Sequence, residues 1–455
     1  MQTTNEATRH GLSEDQARDL TARTLALSEA ESVRVSVESG RRAFIRCADN
    51  RITTAGGSTD VTITIASAFG KRVASSTTNR LDDRALTEAV RKSEALARLA
   101  PENPETMNEL GPQDYVTVRG YYPSTGEVTP ESLAEAAAKA IEGAKKRDFV
   151  ASGFIDVRAG SEALATSTGL FAFHASTGVA STLTVRTRDG SSSGWAGDEA
   201  ARWDNIETER IVEDAVKKCS DWEGKTALEP GRYDVVLEPT AAGMLMRRMT
   251  NAFDARSADE GRSFFSNPDG GTRVGQRLFD PRVTITSDPA AEDAETAPFG
   301  SDGSARARTV WVEDGHVRNL ATSRFWAKEK DTAELERPGN LIMTGGAATV
   351  EEMVGSIERG VLVTRFWYIR GLNPRTLSYT GLTRDGTFLI ENGRVSRPVN
   401  NFRFNQSLVE MLNNIEMMGT PVRVAAAENS SVGTPIVVPP MKVRGFNLAS
   451  VSDAI

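Results

Sequence analysis

Histidine and cysteine are the scarce residues of this 455-residue chain, three and two respectively, and their scarcity narrows the chemistry at once. His10, His174 and His316 lie too far apart for any two to stand at i and i+4 on one helix, so there is no local zinc motif. His174 reads as a strand residue and His316 follows a turn, which makes a structural or solvated imidazole the expectation for each. Cys47 and Cys219 fit no ligand spacing and are expected to be reduced core thiols of a cytoplasmic protein rather than a disulfide. Excess basic charge is missing too. Lys and Arg number 54 against 62 for Asp and Glu, a net charge of −8, so nothing draws the chain toward nucleic acid. The longest uncharged stretch, Ala163 to Val185, holds eight Ser or Thr in 23 residues and alternates like a hairpin, so no membrane span is expected. The opening segment, with neither a basic n-region nor an apolar h-region, carries no expected export signal.

Motifs for covalent or phosphate chemistry are equally thin. There is no G-x-S-x-G elbow, no S-x-x-K in a convincing setting and no Cys–His neighbourhood. Gly270, Gly271 and Gly275 lie in GGTRVGQ, but no Walker lysine follows and Arg282 to Thr286 reads as a strand, so the segment is an ordinary loop. Glu292, Asp293, Glu295 and Asp302 read as a solvated loop. Arg370, Asn373, Arg375 and Tyr379, within IRGLNPRTLSYTG, are candidates for binding a carboxylate or a peptide backbone from a loop. Tying a long connection to a sheet is the other reading of that cluster.

What is present is a globular pattern, 39% hydrophobic and long enough for several cores. Ser13 with Gln16 forms a capping-box pattern opening a helix to about Ser28, and Val33, Val35 and Val37 then alternate as a strand. A strand through Val61, Ile63 and Ile65 precedes a helix from Leu81 to Leu99, and Thr129-Pro130 opens another to about Lys146. A further helix spans Ile206 to Cys219, and one from Thr240 to Phe253 opens the last half. There, Asp314-Gly315, Asp385-Gly386 and Asn392-Gly393 sit between apolar runs as two-residue hairpin turns require. The expected class is α+β, N-terminal α/β layers followed by a strand-rich, mostly antiparallel C-terminal domain. Boundaries fall at Pro- and Gly-punctuated stretches, giving domains 1–112, 113–226 and 227–455.

The stretch VVLEPTAAGMLMRRMTNAFDARSADEGRSFF, Val235 to Phe265, resembles the TldD/PmbA family, whose members work as a paired cytosolic metalloprotease. The likeness continues through GQRLFDPRVTITSDP, PFGSDG with RTVWVEDGHVRNL, FLIENGRVSRPVNNFRF and IVVPPMKVRGF, and with the segment from Arg51 onward it covers nearly the whole chain.

One departure from the family pattern decides the functional reading. In the zinc-bearing type, the helix after L-E-P carries H-E-x-x-x-H, two imidazole ligands and a glutamate that polarises the bound water. Here the matching positions are Met246, Arg247 and Asn251, and Gly433 stands where the family's cysteine ligand precedes the IVVPPMK strand. The resemblance therefore implies the metal-free, TldE/PmbA-type half: no catalytic residue and no cofactor of its own, with zinc in a TldD-like partner subunit. Implied substrates are unfolded peptides, including modified-peptide precursors. A stand-alone homodimeric peptide-binding or chaperone-like protein is the alternative, and a hydrolase built on Arg370 to Tyr379 is a third reading.

Overall fold

Caps written into the sequence set where the first helices start. In this computed structural model, which describes residues 10–428 and 431–452, the Ser13 hydroxyl accepts from the Gln16 backbone while the Gln16 side chain accepts from the Ser13 N–H. The segment read above for export features lies partly outside the described residues. Helix α1 (Glu14–Ala26) leads into strands β1 (Ser32–Ala48), β2 (Arg51–Phe69) and β3 (Arg72–Thr78). Helix α2 (Asp83–Leu99) follows, capped by the Asp82 carboxylate on the Ala85 N–H. Thr129 caps α3 (Pro130–Lys145), with proline at the first helical position as expected. Strands β4 (Val150–Thr166), β5 (Phe171–Arg186) and β6 (Ser193–Ala200) precede α4 (Thr208–Asp221).

All six strands form one sheet in the order β3-β2-β1-β4-β5-β6. Strand β1 pairs with β4 from Arg34 opposite Thr166 to Cys47 opposite Gly153, so one continuous ladder joins the segments on either side of the boundary drawn at 112/113. Alternation decides the layering. Val33, Val35, Val37, Ile45 and Cys47 of β1 are buried on one face, against the four helices, where Leu20 and Leu86 meet the strand valines and Ala215 and Cys219 meet Cys47. Both cysteines are free thiols of that core, and burial pushes Cys219 up to about 11. The opposite face of β1 carries Glu38, Arg42 and Arg46.

Strand β2 extends beyond β3. Its residues Arg51 to Asp60 pair with β1 on one side, β3 begins its pairing only at Ile63, and all ten residues are exposed.

His174 lies in β5 at 5% exposure, against Gly120, where a Cβ would stand 2.7 Å from the imidazole Cε1. Burial lowers its pKa to about 4. Since the unfolded value is near 6.5, the neutral ring's contribution is complete above pH 6.5 and is lost as pH falls toward 4, about 3 kcal/mol in all. Denaturation midpoints measured down the acid limb should fall in this window for the natural chain and less steeply for His174→Gln. Parallel limbs in the two proteins would refute the assignment.

The last half holds two sheets around the largest core. A nine-stranded mixed sheet is centred on β7 (Gly231–Leu237), with Met441–Ser452 antiparallel on one side and Arg359–Val363 parallel on the other. A six-stranded sheet built from short strands, Ile285–Ser287 and Leu341–Met343 among them, packs beyond helix α5 (Pro239–Met246). The strand expected from Arg282 therefore starts only at Ile285. Strand outweighs helix, 39% to 24%, and the α+β class with a strand-rich C-terminal part holds.

Asp314-Gly315 and Asn392-Gly393 take positive φ at both residues and close hairpins that pair Glu313 with His316 and Glu391 with Arg394. Asp385-Gly386 also takes positive φ at both residues but closes no hairpin. Strand Ser378–Thr383 before it pairs with Phe366–Asn373 and Asn401–Ser407, whereas Thr387–Glu391 after it pairs with Arg359–Val363 and Arg394–Pro398. The dipeptide crosses between pairings because Asp385 is buried in an ion pair with Arg365 at 2.9 Å, not presented to solvent as a turn aspartate would be. No helix among the described residues is long and apolar enough to cross a membrane.

Candidate functional site

The segment after L-E-P is less regular than its sequence suggests. The α-helix ends at Met246 and the chain tightens into a 3₁₀ turn over Arg247–Asn251, with the Thr250 hydroxyl donating back to the Arg247 carbonyl at 2.9 Å. The helix expected to reach Phe253 is therefore seven residues shorter. Tightening alters the geometry as well. Residues four apart stand about 40° apart around an α-helix but about 120° apart at three residues per turn. Arg247 and Asn251 accordingly share no face. Met246 is fully buried in the core, Arg247 is half-buried and Asn251 is exposed.

Gly433 returns to this segment from the far end of the chain. A Cβ placed on it would stand 3.9 Å from the Arg247 Nη2, so two of the four positions singled out in the sequence meet. Facing them from β6, the edge strand of the first sheet, is Glu199, 3% exposed, which accepts from the Gly433 N–H at 3.2 Å and from Arg423 at 3.3 Å. Burial lifts its carboxyl above the usual carboxylate range, against the opposing pull of Arg423, the Gly433 N–H and Arg247. Arg423 also donates to the Asp293 carbonyl. The site is thus a carboxylate and two guanidinium groups assembled from three distant segments.

A second charged group lies beside it. Glu428 accepts from Arg248 at 2.9 Å, from the Ile369 N–H at 2.9 Å and from Arg370 at 3.2 Å. Arg370, Asn373 and Tyr379 were expected in a loop but belong to a hairpin of Phe366–Asn373 and Ser378–Thr383, with Gly371 opposite Tyr379. Arg370 stacks over Tyr368 at 4.0 Å. Tyr379 is partly buried, which raises its phenol pKa, with Arg248 close enough to oppose the shift. Asn373 and Arg375 have local duties: the Asn373 side chain accepts from the Arg375 N–H, and Arg375 donates to the Gly261 carbonyl at 2.9 Å. The acidic stretch read as a solvated loop is tied down in part, because Glu295 accepts from Tyr122 at 2.5 Å and Asp302 pairs with Arg324 at 3.8 Å.

Glu199, Arg423, Glu428 and Arg365 went unnoticed in the sequence, and Asp385 was read there only as a turn residue. Glu199 and Arg423 are 224 residues apart, and no periodicity joins them.

Three family models match in succession: PmbA/TldA metallopeptidase domain 1 over residues 33–97, its central domain over 123–219 and its C-terminal domain over 230–450. The chain belongs to the TldD/PmbA family. A metalloprotease of Methanothermobacter thermautotrophicus is 24% identical over 212 residues, 43% of this chain and 44% of that one. Metalloprotease PmbA of Escherichia coli O157:H7 is 23% identical over 176 residues, 38% of each. The matched stretch spans less than half the length of these relatives. The crystal structure of TldE from Thermococcus kodakarensis shares the fold at a TM-score of 0.83, covering 95% of this chain and 99% of that one at 18% identity.

The zinc of TldD/PmbA metallopeptidases does not fit the residues in this place. Met246 is packed into apolar core, Gly433 has no side chain, and the Arg247 guanidinium carries a like charge toward any cation. Among the described residues no three of His, Cys, Asp and Glu gather closely enough to hold a metal ion.

Proposed function

We propose that this chain is the non-catalytic, TldE/PmbA-like subunit of a heterodimeric zinc peptidase that degrades or trims unfolded peptides, with the metal carried by a TldD-like partner. The observation that carries the reading is the meeting of Arg247 with Gly433 beside buried Glu199: a guanidinium stands where the family's glutamate and cysteine positions come together. Among the described residues nothing pairs with the outer border of β2 from Arg51 to Asp60, which supports a partner chain. Natural edge strands are guarded by proline, lysine or inward charges, whereas Ile52 to Thr59 contains none of these. Pull-down of the tagged chain from native lysate should recover a second subunit with zinc in the complex, and the chain purified alone should contain none. Stoichiometric zinc and peptide cleavage by the isolated chain would overturn the proposal.

A further inference from the structure

A cleft of about 220 Å³ separates the open face of the first sheet from the C-terminal half. Its lining is cationic. Arg46, Arg186, Arg365 and Arg384 face it against two carboxylates, Asp385 and Glu428. Both carboxylates are already engaged. Asp385 accepts from Arg365 and from Ser193, each at 2.9 Å, and pairs more loosely with Arg384 at 3.7 Å, while Glu428 is held by Arg248, Arg370 and the Ile369 N–H. With Arg186 already engaged within the chain and set aside, three guanidinium groups still face two carboxylates, and the lining keeps a positive field.

Two indoles fix the guanidinium groups. Arg365 lies 4.3 Å from the Trp195 ring centroid and 5.1 Å from that of Trp367, and Arg384 lies 5.3 Å from that of Trp367. Stacking of this kind holds a planar fork in place before a ligand arrives, which favours paired hydrogen bonds to a planar anion. Arg365 also keeps a buried Nε–H with no acceptor. An unmet donor in the wall of a cationic, aromatic-lined cleft is a feature of a ligand site.

From this geometry we infer that the cleft binds a carboxylate of an extended peptide. The inference rests on the peptide-handling reading above and adds a substrate class to it: peptides that present a free C-terminus or an acidic side chain. A singly charged, planar group suits the stacked guanidiniums, and Glu428 on the facing wall disfavours a doubly charged phosphate. Hydroxyls of Ser152, Thr182 and Thr184 on the sheet wall supply partners for the adjoining backbone.

Isothermal titration of the full, isolated chain with an N-acetylated, unstructured hexapeptide tests this in three forms: free acid, C-terminal amide, and amide with one internal glutamate. The free acid should bind saturably and the plain amide at least about tenfold more weakly, with the free-acid affinity falling as salt rises. Binding of the glutamate amide as well would mean that a side-chain carboxylate serves; its failure to bind would assign the terminal one. Arg384→Gln should weaken the free acid about tenfold. Arg46→Gln, at an exposed strand position, should act in the same direction without touching the buried ion pair. Equal binding of acid and plain amide, no binding of either, or wild-type affinity in both variants would overturn the inference. Recovery of a zinc-bearing partner by pull-down would stand in any of those cases, so the two readings fail separately.

Discussion

Asp385→Ala is expected to lose about 3–5 kcal/mol of stability, a large share of what a folded protein has to spare. Removing the carboxylate leaves Arg365, 7% exposed at its side chain, as an uncompensated buried cation, and strips the acceptor from the Ser193 hydroxyl of β6. The pair sits where the first sheet meets the C-terminal half, so the loss should be felt as weaker docking of one on the other. Replacing both partners, Asp385→Leu with Arg365→Met, should recover most of the loss, since an apolar pair needs no compensation. Guanidinium denaturation of the three proteins decides it. A single variant within about 0.5 kcal/mol of the natural chain would show the charge to be solvated.

Trp222→Ala should cost a similar amount, about 3–5 kcal/mol, through a different cause. Trp222 follows α4 but is fully buried among Val236, Ile357, Leu362, Phe388 and Ile390 of the C-terminal half. Its indole N–H donates to the Thr387 carbonyl at 3.1 Å and the Val399 carbonyl at 3.0 Å. The ring is thus a bolt driven from one half into the other. Trp222→Phe keeps most of the apolar contact and loses the shared donor, so it should cost less, about 1–3 kcal/mol. If Phe were as damaging as Ala, hydrogen bonding rather than packing would dominate the position.

Local signals account for what was legible beforehand. Start signals at Ser13 and Thr129 and the apolar spacing from Leu81 placed three helices, and the Val33 to Val37 alternation and two of the three Asx-Gly turns placed strands, because each depends on residues a few positions apart. The degenerate positions Met246, Arg247, Asn251 and Gly433 were found by resemblance alone, and their spatial relation came only with the fold. Asp385 misled because its dipeptide has turn chemistry while its charge has a partner 20 residues earlier. The α-helix through Met246 ends before Phe253 through a hydroxyl-to-carbonyl bond at Thr250, a competition that apolar spacing does not record. Glu199 with Arg423 and Glu428 with Arg248 join segments that only tertiary packing brings together.

The ladder between β1 and β4 makes the first two matched segments mechanically inseparable. Fourteen backbone positions of each strand face one another, so a nick in the connection from Pro101 to Gly120 would yield two fragments with raw, complementary flanks rather than two self-sufficient modules. Shuffling of this family's N-terminal pieces between proteins would have to keep that seam intact.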